Sequence, residues 1–160
     1  MSAAMAREIG IVGFGHQGEP WALNLRDNGW NVRTFFRPES RMAKRAESLG
    51  FRPEPVTELG SVPILAMLIP DDAMPLFCTA HANRFAEGQA LIFAHGFTLH
   101  YRTALWPATT DWILVAPKGI GSAVRELFVA GSGVPAVLSV ENDFTKHAWD
   151  TARLVAEGIG

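Results

Sequence analysis

Short apolar runs alternate with amphipathic segments along most of the chain. Runs that are apolar at successive positions are typical of strands buried on both faces of a sheet. They predict strands at 9–12, 31–36, 64–69, 90–94, 112–116 and 136–140. The segments between them predict helices at 17–28, 39–49, 71–83, 122–129 and 145–157. We therefore expect a doubly wound α/β fold, with a mainly parallel sheet in a Rossmann-like three-layer αβα arrangement.

Glycine and proline set the expected ends of three helices. Gly29 follows the first helix and Gly50 follows the second, where glycine accepts the left-handed conformation that terminates a helix. Pro75 must lie in the first turn of the third helix, because proline has no N–H to donate farther along.

Composition and charge exclude several classes of protein. The 160 residues predict one domain over 1–160, and the net charge of −2 gives no electrostatic case for nucleic-acid binding. Cys78 is the only cysteine, so we expect no intramolecular disulfide and a cytoplasmic setting. The first ten residues lack the pattern of a signal peptide, and no apolar stretch reaches the ~18 residues of a membrane span.

A glycine-rich loop, Gly13-Phe14-Gly15-His16-Gln17-Gly18, joins the first predicted strand to the first predicted helix. In a G-x-G-x-x-G motif the first glycine makes the tight turn, and the second lets the backbone approach a pyrophosphate. The third allows close packing of helix and strand, while the helix N-terminus attracts the anion. In this strand–helix context the loop predicts dinucleotide binding, and the alternative is a plain structural turn.

The end of the second predicted strand bears on which dinucleotide binds. NAD-specific sites usually carry an acid there for the ribose 2′-hydroxyl, whereas this chain has Arg37 followed by Ser40. A guanidinium and a hydroxyl suit a 2′-phosphate, so NADP is favoured over NAD. The alternative is a solvated basic turn with a serine helix cap. Glu39 would repel a phosphate if its side chain pointed inward.

Four segments, in order along the chain, carry a resemblance to a known family. They are VGFGHQGEPWALNLRDNG, FFRPESRMAKRAESLGF, FAHGFTLHY and VAPKGIGSAVRELFVAGSGVP. Together they resemble ketol-acid reductoisomerase, from Ile9 to Gly160. The resemblance implies an NADP-dependent oxidoreductase of branched-chain amino-acid biosynthesis. Such an enzyme rearranges a 2-hydroxy-2-alkyl-3-keto acid with two magnesium ions, and reduces the product with NADPH to a 2,3-dihydroxy acid.

The resemblance also implies roles for individual residues. It makes His95 and Lys118 the expected catalytic residues. The alternative for His95 is a loop histidine that is hydrogen-bonded to nearby backbone, and the alternative for Lys118 is a solvated loop lysine. Asp71 has the alternative of capping the following helix. Met42 stands where family members often have a second serine, so either Arg41 compensates or the NADP preference is weaker than usual. The expected cofactor-binding residues are Gly13, Phe14, Gly15, His16, Gln17, Gly18, Arg37, Ser40, Met42, Asp71, Asp72, Ala73, Met74 and Gly121.

The family's helical, knotted C-terminal domain supplies its carboxylate metal ligands, and the resemblance ends where that domain would begin. We therefore expect no metal site in this chain, and NADPH binding without turnover unless a complementing C-terminal domain is present. Homo-oligomers are also possible. Apolar surface is expected around Phe97–Tyr101 and Ile120. The alternatives are a standalone NADP-binding module or degenerate relative without catalysis, and another dehydrogenase with the same nucleotide fold.

Overall fold

Seven strands form one sheet in the computed structural model, which describes residues 7–160. Their order across the sheet is β3-β2-β1-β4-β5-β6-β7, and all neighbours are parallel except β6 and β7. The predicted mainly parallel sheet is therefore confirmed. The strands are β1 (Glu8–Val12), β2 (Asn31–Phe36), β3 (Pro53–Pro55), β4 (Ile64–Met67), β5 (Ala90–Phe93), β6 (Asp111–Pro117) and β7 (Ala136–Asn142).

Helices cover both faces of the sheet and complete the predicted three layers. On one face α1, α2, α5 and α6 pack in a cluster with Ile9, Ile11 and Ile113. On the other face α3 and α4 pack against Leu65 and Phe93. The helices are α1 (Gly18–Asp27), α2 (Arg41–Ser48), α3 (Met74–His81), α4 (Phe97–Tyr101), α5 (Gly121–Val129) and α6 (Ala148–Ile159), with 3₁₀ turns at Val56–Ser61 and Ala82–Arg84.

Gly29, Gly50 and Pro75 lie where the predicted helix ends place them, but α2, α3 and α6 begin two to three residues later than predicted. Gly29 and Gly50 have φ of 79° and 84°, as expected after a helix. Pro75 lies in the first turn of α3. That helix begins at Met74 rather than at Asp71, because a turn precedes it in which the Ala73 N–H donates to the Pro70 carbonyl at 3.0 Å.

Within residues 7–160, no helix is both long and apolar enough to cross a membrane. The expectation that the chain lacks a signal peptide rests on its first ten residues, of which 1–6 lie outside the described part.

Candidate functional site

A cavity of about 820 Å³ opens beyond the carboxyl ends of β1, β2, β4 and β5. It lies where the chain leaves β1 toward β2 on one side and β4 on the other, the position at which doubly wound sheets bind ligands. Its volume falls within the roughly 300–1,000 Å³ of small-molecule sites. Of the expected site residues, the cavity is lined by Gly13, Phe14, Gly15, His16, Gln17, Arg37, Ser40, Met42, Asp71, Asp72, Ala73, Met74 and His95.

The three glycines of the loop over residues 13–18 have different surroundings. Gly13 has φ of 96°, and a Cβ there would lie 2.6 Å from the Leu68 carbonyl. A Cβ on Gly18 would lie 1.9 Å from the Gly13 carbonyl oxygen. A Cβ on Gly15 would meet no atom of residues 7–160 within 4 Å. Backbone packing therefore requires the first and third glycines, whereas the second leaves open space beside the main chain.

The same loop carries unpaired backbone donors. Within the described residues, the N–H groups of Phe14, Gly15, His16 and Gln17 donate no hydrogen bond. They directly precede the N-terminus of α1, where the helix dipole adds partial positive charge. Phe14 is itself buried and lines the cavity. This arrangement suits an anion with several acceptor oxygens, such as a diphosphate.

The acidic residue in the first turn of α1 is neutralised by a neighbour. Both oxygens of Glu19 accept from Arg45, at 2.8 Å from Nε and 2.6 Å from Nη2. The Arg45 hydrogen bond lowers the pKa of Glu19. The carboxylate near the loop is therefore already paired with a cation, which reduces its repulsion of a bound anion.

Arg37 and Ser40 lie at the end of β2 and line the cavity. The Arg37 side chain is exposed, and its guanidinium makes no ion pair or hydrogen bond within residues 7–160. Ser40 is the N-cap residue of α2, but its hydroxyl makes no capping hydrogen bond. The predicted alternative of a serine cap is therefore wrong as far as the side chain is concerned. Both groups are left with their hydrogen-bonding capacity for a ligand.

Two neighbours of this pair were expected to affect a phosphate. Glu39 has φ of 58° and is exposed, and it is not among the cavity-lining residues. Met42 does line the cavity and is 38% exposed. The acidic group therefore lies outside the cavity, whereas the thioether borders it.

His95 and Asp71 meet at the cavity wall. His95 Nδ1 lies 3.0 Å from Asp71 Oδ2, and the other carboxylate oxygen, Oδ1, accepts from Thr98 Oγ1 at 3.1 Å. The Asp71 carboxylate does not cap α3, so the predicted capping alternative is wrong. The sequence analysis did not predict this contact, although the position of each residue after a predicted strand could have indicated it. Each residue follows one of two strands, β4 and β5, that turn out to be parallel neighbours.

Lys118, Gly121 and Gly18 do not line the cavity. Lys118 follows β6 and is exposed, with its backbone N–H bonded to the Pro135 carbonyl at 2.8 Å. Gly121 is buried, and a Cβ there would lie 1.4 Å from the His16 carbonyl oxygen. Gln17 Nε2 donates to the Gly119 carbonyl at 3.3 Å. The segment 118–121 therefore packs against the glycine-rich loop and supports it from outside the cavity.

The described residues do not fit a magnesium site. Within 7–160, no three or more His, Cys, Asp or Glu side chains are placed to hold a metal ion together. Magnesium requires several oxygen ligands in near-octahedral geometry, which a single carboxylate bound to His95 does not provide.

A parallel sheet with a glycine-rich loop, unpaired amide donors and a switch-point cavity defines a Rossmann-type dinucleotide-binding domain. The sequence matches the family described as acetohydroxy acid isomeroreductase, NADPH-binding domain, over residues 4–160. The chain belongs to this family, which confirms the resemblance drawn from its motifs.

Similar proteins agree with this assignment. The chain is 40% identical, over 96% of its length, to ketol-acid reductoisomerases (NADP(+)) from Pyrococcus abyssi and from Clostridioides difficile. A solved NADH-preferring ketol-acid reductoisomerase from an uncultured archean superposes with a TM-score of 0.90 at 26% identity, over 95% of this chain and 48% of that one. The chain spans 47% of the length of each of the two curated relatives, or about half.

Proposed function

We propose that this chain is the coenzyme-binding domain of a ketol-acid reductoisomerase and that it binds NADPH in the cavity. The observation that carries the proposal is the set of N–H groups over residues 14–17, which have no partner within residues 7–160 and belong to the loop that lines the cavity. They would hold the diphosphate of the coenzyme.

The adenosine end of the coenzyme would lie toward the end of β2. Arg37 and the Ser40 hydroxyl would bind a ribose 2′-phosphate, which favours NADPH over NADH. Met42 borders the same cavity and cannot donate a hydrogen bond to phosphate. We therefore expect a preference for NADPH over NADH that depends on Arg37 and Ser40. Met42 should not contribute to this preference.

The nicotinamide end would lie toward His95, at the end of β5. When bound, the reduced nicotinamide supplies reducing equivalents for a carbonyl carbon of a 2-hydroxy-2-alkyl-3-keto acid derivative. His95 lines the cavity with its side chain 74% exposed, so its imidazole can exchange a proton with a substrate oxygen. Lys118 follows the neighbouring strand β6 outside the cavity, so it would steady negative charge only on the part of that substrate that extends beyond the cavity toward β6.

The alkyl migration is not assigned to this chain, because the described residues do not fit magnesium. The curated relatives are about twice as long as the chain. We therefore propose that turnover needs the remaining half of such a protein, and that the chain by itself binds NADPH without converting substrate.

Titration of the purified chain with NADPH and with NADH, followed by nicotinamide fluorescence, tests the coenzyme assignment. We expect NADPH to bind more tightly than NADH. Gly15→Ala should weaken NADPH binding at least about tenfold, or about 1.4 kcal/mol, because the new methyl group takes the space beside the diphosphate. Its melting temperature should stay that of the wild type, since the methyl group meets no protein atom within 4 Å.

A second pair of variants tests the 2′-phosphate contact. Arg37→Gln should weaken NADPH binding and leave NADH binding unchanged, whereas Met42→Ser should strengthen NADPH binding by adding a hydroxyl donor. Equal loss of both coenzymes in Arg37→Gln would show that Arg37 does not read the 2′-phosphate. Failure of both coenzymes to bind the wild-type chain would refute the proposed function.

A further inference from the structure

Asp71 is placed to control which nitrogen of His95 carries the proton. It lies four residues beyond β4, and His95 lies two residues beyond β5, the parallel neighbour of β4. This placement brings Asp71 Oδ2 to 3.0 Å from His95 Nδ1. We propose that Asp71 is a positioning residue that holds the neutral imidazole with its proton on Nδ1 and its lone pair on Nε2.

Two groups compete for His95 Nδ1, and they demand opposite tautomers. The carboxylate of Asp71 accepts a hydrogen bond and therefore requires a proton on Nδ1. The backbone N–H of Phe97 lies 3.4 Å from the same nitrogen and would donate to a lone pair there. The contact with Asp71 is 0.4 Å shorter and involves a charged acceptor, whereas 3.4 Å exceeds the usual range of N–H hydrogen bonds. Asp71 therefore decides the tautomer.

The carboxylate is itself held in place from its other side. Thr98 is buried, with 1% of its surface exposed, and its Oγ1 donates to Asp71 Oδ1 at 3.1 Å. Thr103 Oγ1 lies 3.4 Å from Thr98 Oγ1 and extends the chain of hydroxyl groups. The two oxygens of Asp71 are thus divided between a fixed threonine and His95, which orients the carboxylate toward the imidazole.

The consequence for chemistry rests on the proposed function. With Nδ1 engaged by Asp71, Nε2 is the nitrogen of His95 that can accept a proton from a ligand in the cavity. In the opposite tautomer Nε2 could only donate. Asp71 thereby sets the direction of proton transfer at His95 through its hydrogen bond to the imidazole.

The tautomer is measured directly by ¹⁵N NMR of the imidazole rings in the whole 160-residue chain without coenzyme, at an alkaline pH where imidazoles are neutral. We expect His95 in the wild type to show a protonated Nδ1 and an unprotonated Nε2. In Asp71→Ala the remaining partner of Nδ1 is the Phe97 N–H, which donates to a lone pair. We therefore expect the variant to show an unprotonated Nδ1 and a protonated Nε2. The His95→Gln spectrum assigns the signals.

A second histidine–aspartate pair provides a matched control in the same spectra. Asp150 Oδ2 lies 4.0 Å from His147 Nδ1, which is too far for a hydrogen bond, and both side chains are exposed. Asp150→Ala should leave the tautomers of His147 and His95 unchanged.

The proposal is overturned if wild-type His95 carries its proton on Nε2, a result that needs no variant to fold. It is also overturned if folded Asp71→Ala keeps the wild-type tautomer. Because no coenzyme is present, these outcomes are independent of whether the chain binds NADPH.

Discussion

At the residue scale, glycines in and near the glycine-rich loop lack a side chain for two different reasons. At Gly18 and Gly121, a Cβ would collide with backbone atoms at 1.9 Å and 1.4 Å. At Gly15, a Cβ would project into open space. Packing therefore explains the first two, and binding of a ligand is the proposed reason for the third.

Gly121→Ala should destabilise the chain by about 2 kcal/mol or more, because its methyl group would displace the His16 carbonyl and with it the glycine-rich loop. Thermal and urea unfolding measure the loss. Gly15→Ala is the matched control and should unfold as the wild type does. A Gly121→Ala variant as stable as Gly15→Ala would contradict the packing of segment 118–121 against the loop.

The role of a single residue could be predicted where its position next to a strand or helix determines that role. It could not be predicted where the role depends on a contact with a residue far away in the sequence. The cavity-facing position of Arg37 follows from its place directly after β2, and that of Ser40 from its place at the N-terminus of α2. The role of Asp71 does not, because a carboxylate at a helix start also suits a cap. Only the pairing of β4 with β5 brings His95 and Thr98 within reach of it.

At the scale of elements, an ion pair between two side chains stabilises the attachment of the edge strand β3 to β2. β3 has three residues, two of them proline, which restricts it to an edge because proline cannot donate to a ladder. Arg33 of β2 binds both oxygens of Glu54 in β3, with Nε 2.8 Å from Oε1. This ion pair adds side-chain contact where backbone pairing is short.

Glu54→Gln should lower the free energy of unfolding by about 0.5–1 kcal/mol at pH 7. The Arg33 hydrogen bond lowers the pKa of Glu54 below 4.5. The carboxylate therefore contributes stability that is present above this pH and is lost as the pH falls through the lowered pKa.

Urea unfolding at pH 7 and at a pH well below 4.5 checks this prediction. The variant and the wild type should differ at pH 7 and converge in acid. Glu87→Gln, a change at an exposed glutamate, should match the wild type at both pH values. A difference between Glu54→Gln and the wild type that persists unchanged in acid would exclude the ion pair as its cause.

The elements missed by sequence reasoning are short and lack strong local signals. β3 (Pro-Glu-Pro) has no apolar run, and α4 spans five residues, too few to show a helical period. The longer elements were predicted because the apolar runs mark the strands, and because glycines mark helix ends at positions consistent with those runs. The orientation of β7 could not be predicted, because an apolar pattern does not specify the direction in which a strand runs.

At the scale of the whole molecule, the cavity lies where the two sides of the doubly wound sheet diverge. Its lining draws residues from the ends of four strands and from α3, so a bound coenzyme would contact several elements at once. A ligand that binds only the folded state stabilises it by mass action.

NADPH at about one hundred times its dissociation constant should stabilise the chain by about 2.7 kcal/mol. For a chain of this size, that corresponds to a rise in melting temperature of roughly 5–10 °C. Differential scanning fluorimetry measures it. Gly15→Ala should show a smaller rise at the same NADPH concentration, and an identical rise in both proteins would place the coenzyme away from the loop.

The fold class could be predicted from the sequence because many separate runs indicate the same architecture. The family assignment required specific motifs, since a glycine-rich loop alone occurs in many dehydrogenases. The AHGF segment around His95 and the APKG segment around Lys118 supplied that specificity, and the family match over residues 4–160 confirms it.

A crystal structure of the chain with NADPH shows directly whether the glycine-rich loop binds the diphosphate. We expect the diphosphate oxygens about 3 Å from the backbone nitrogens of residues 14–17, with the 2′-phosphate beside Arg37 and Ser40. A complex in which these amides face solvent, while the nucleotide binds elsewhere, would contradict this expectation.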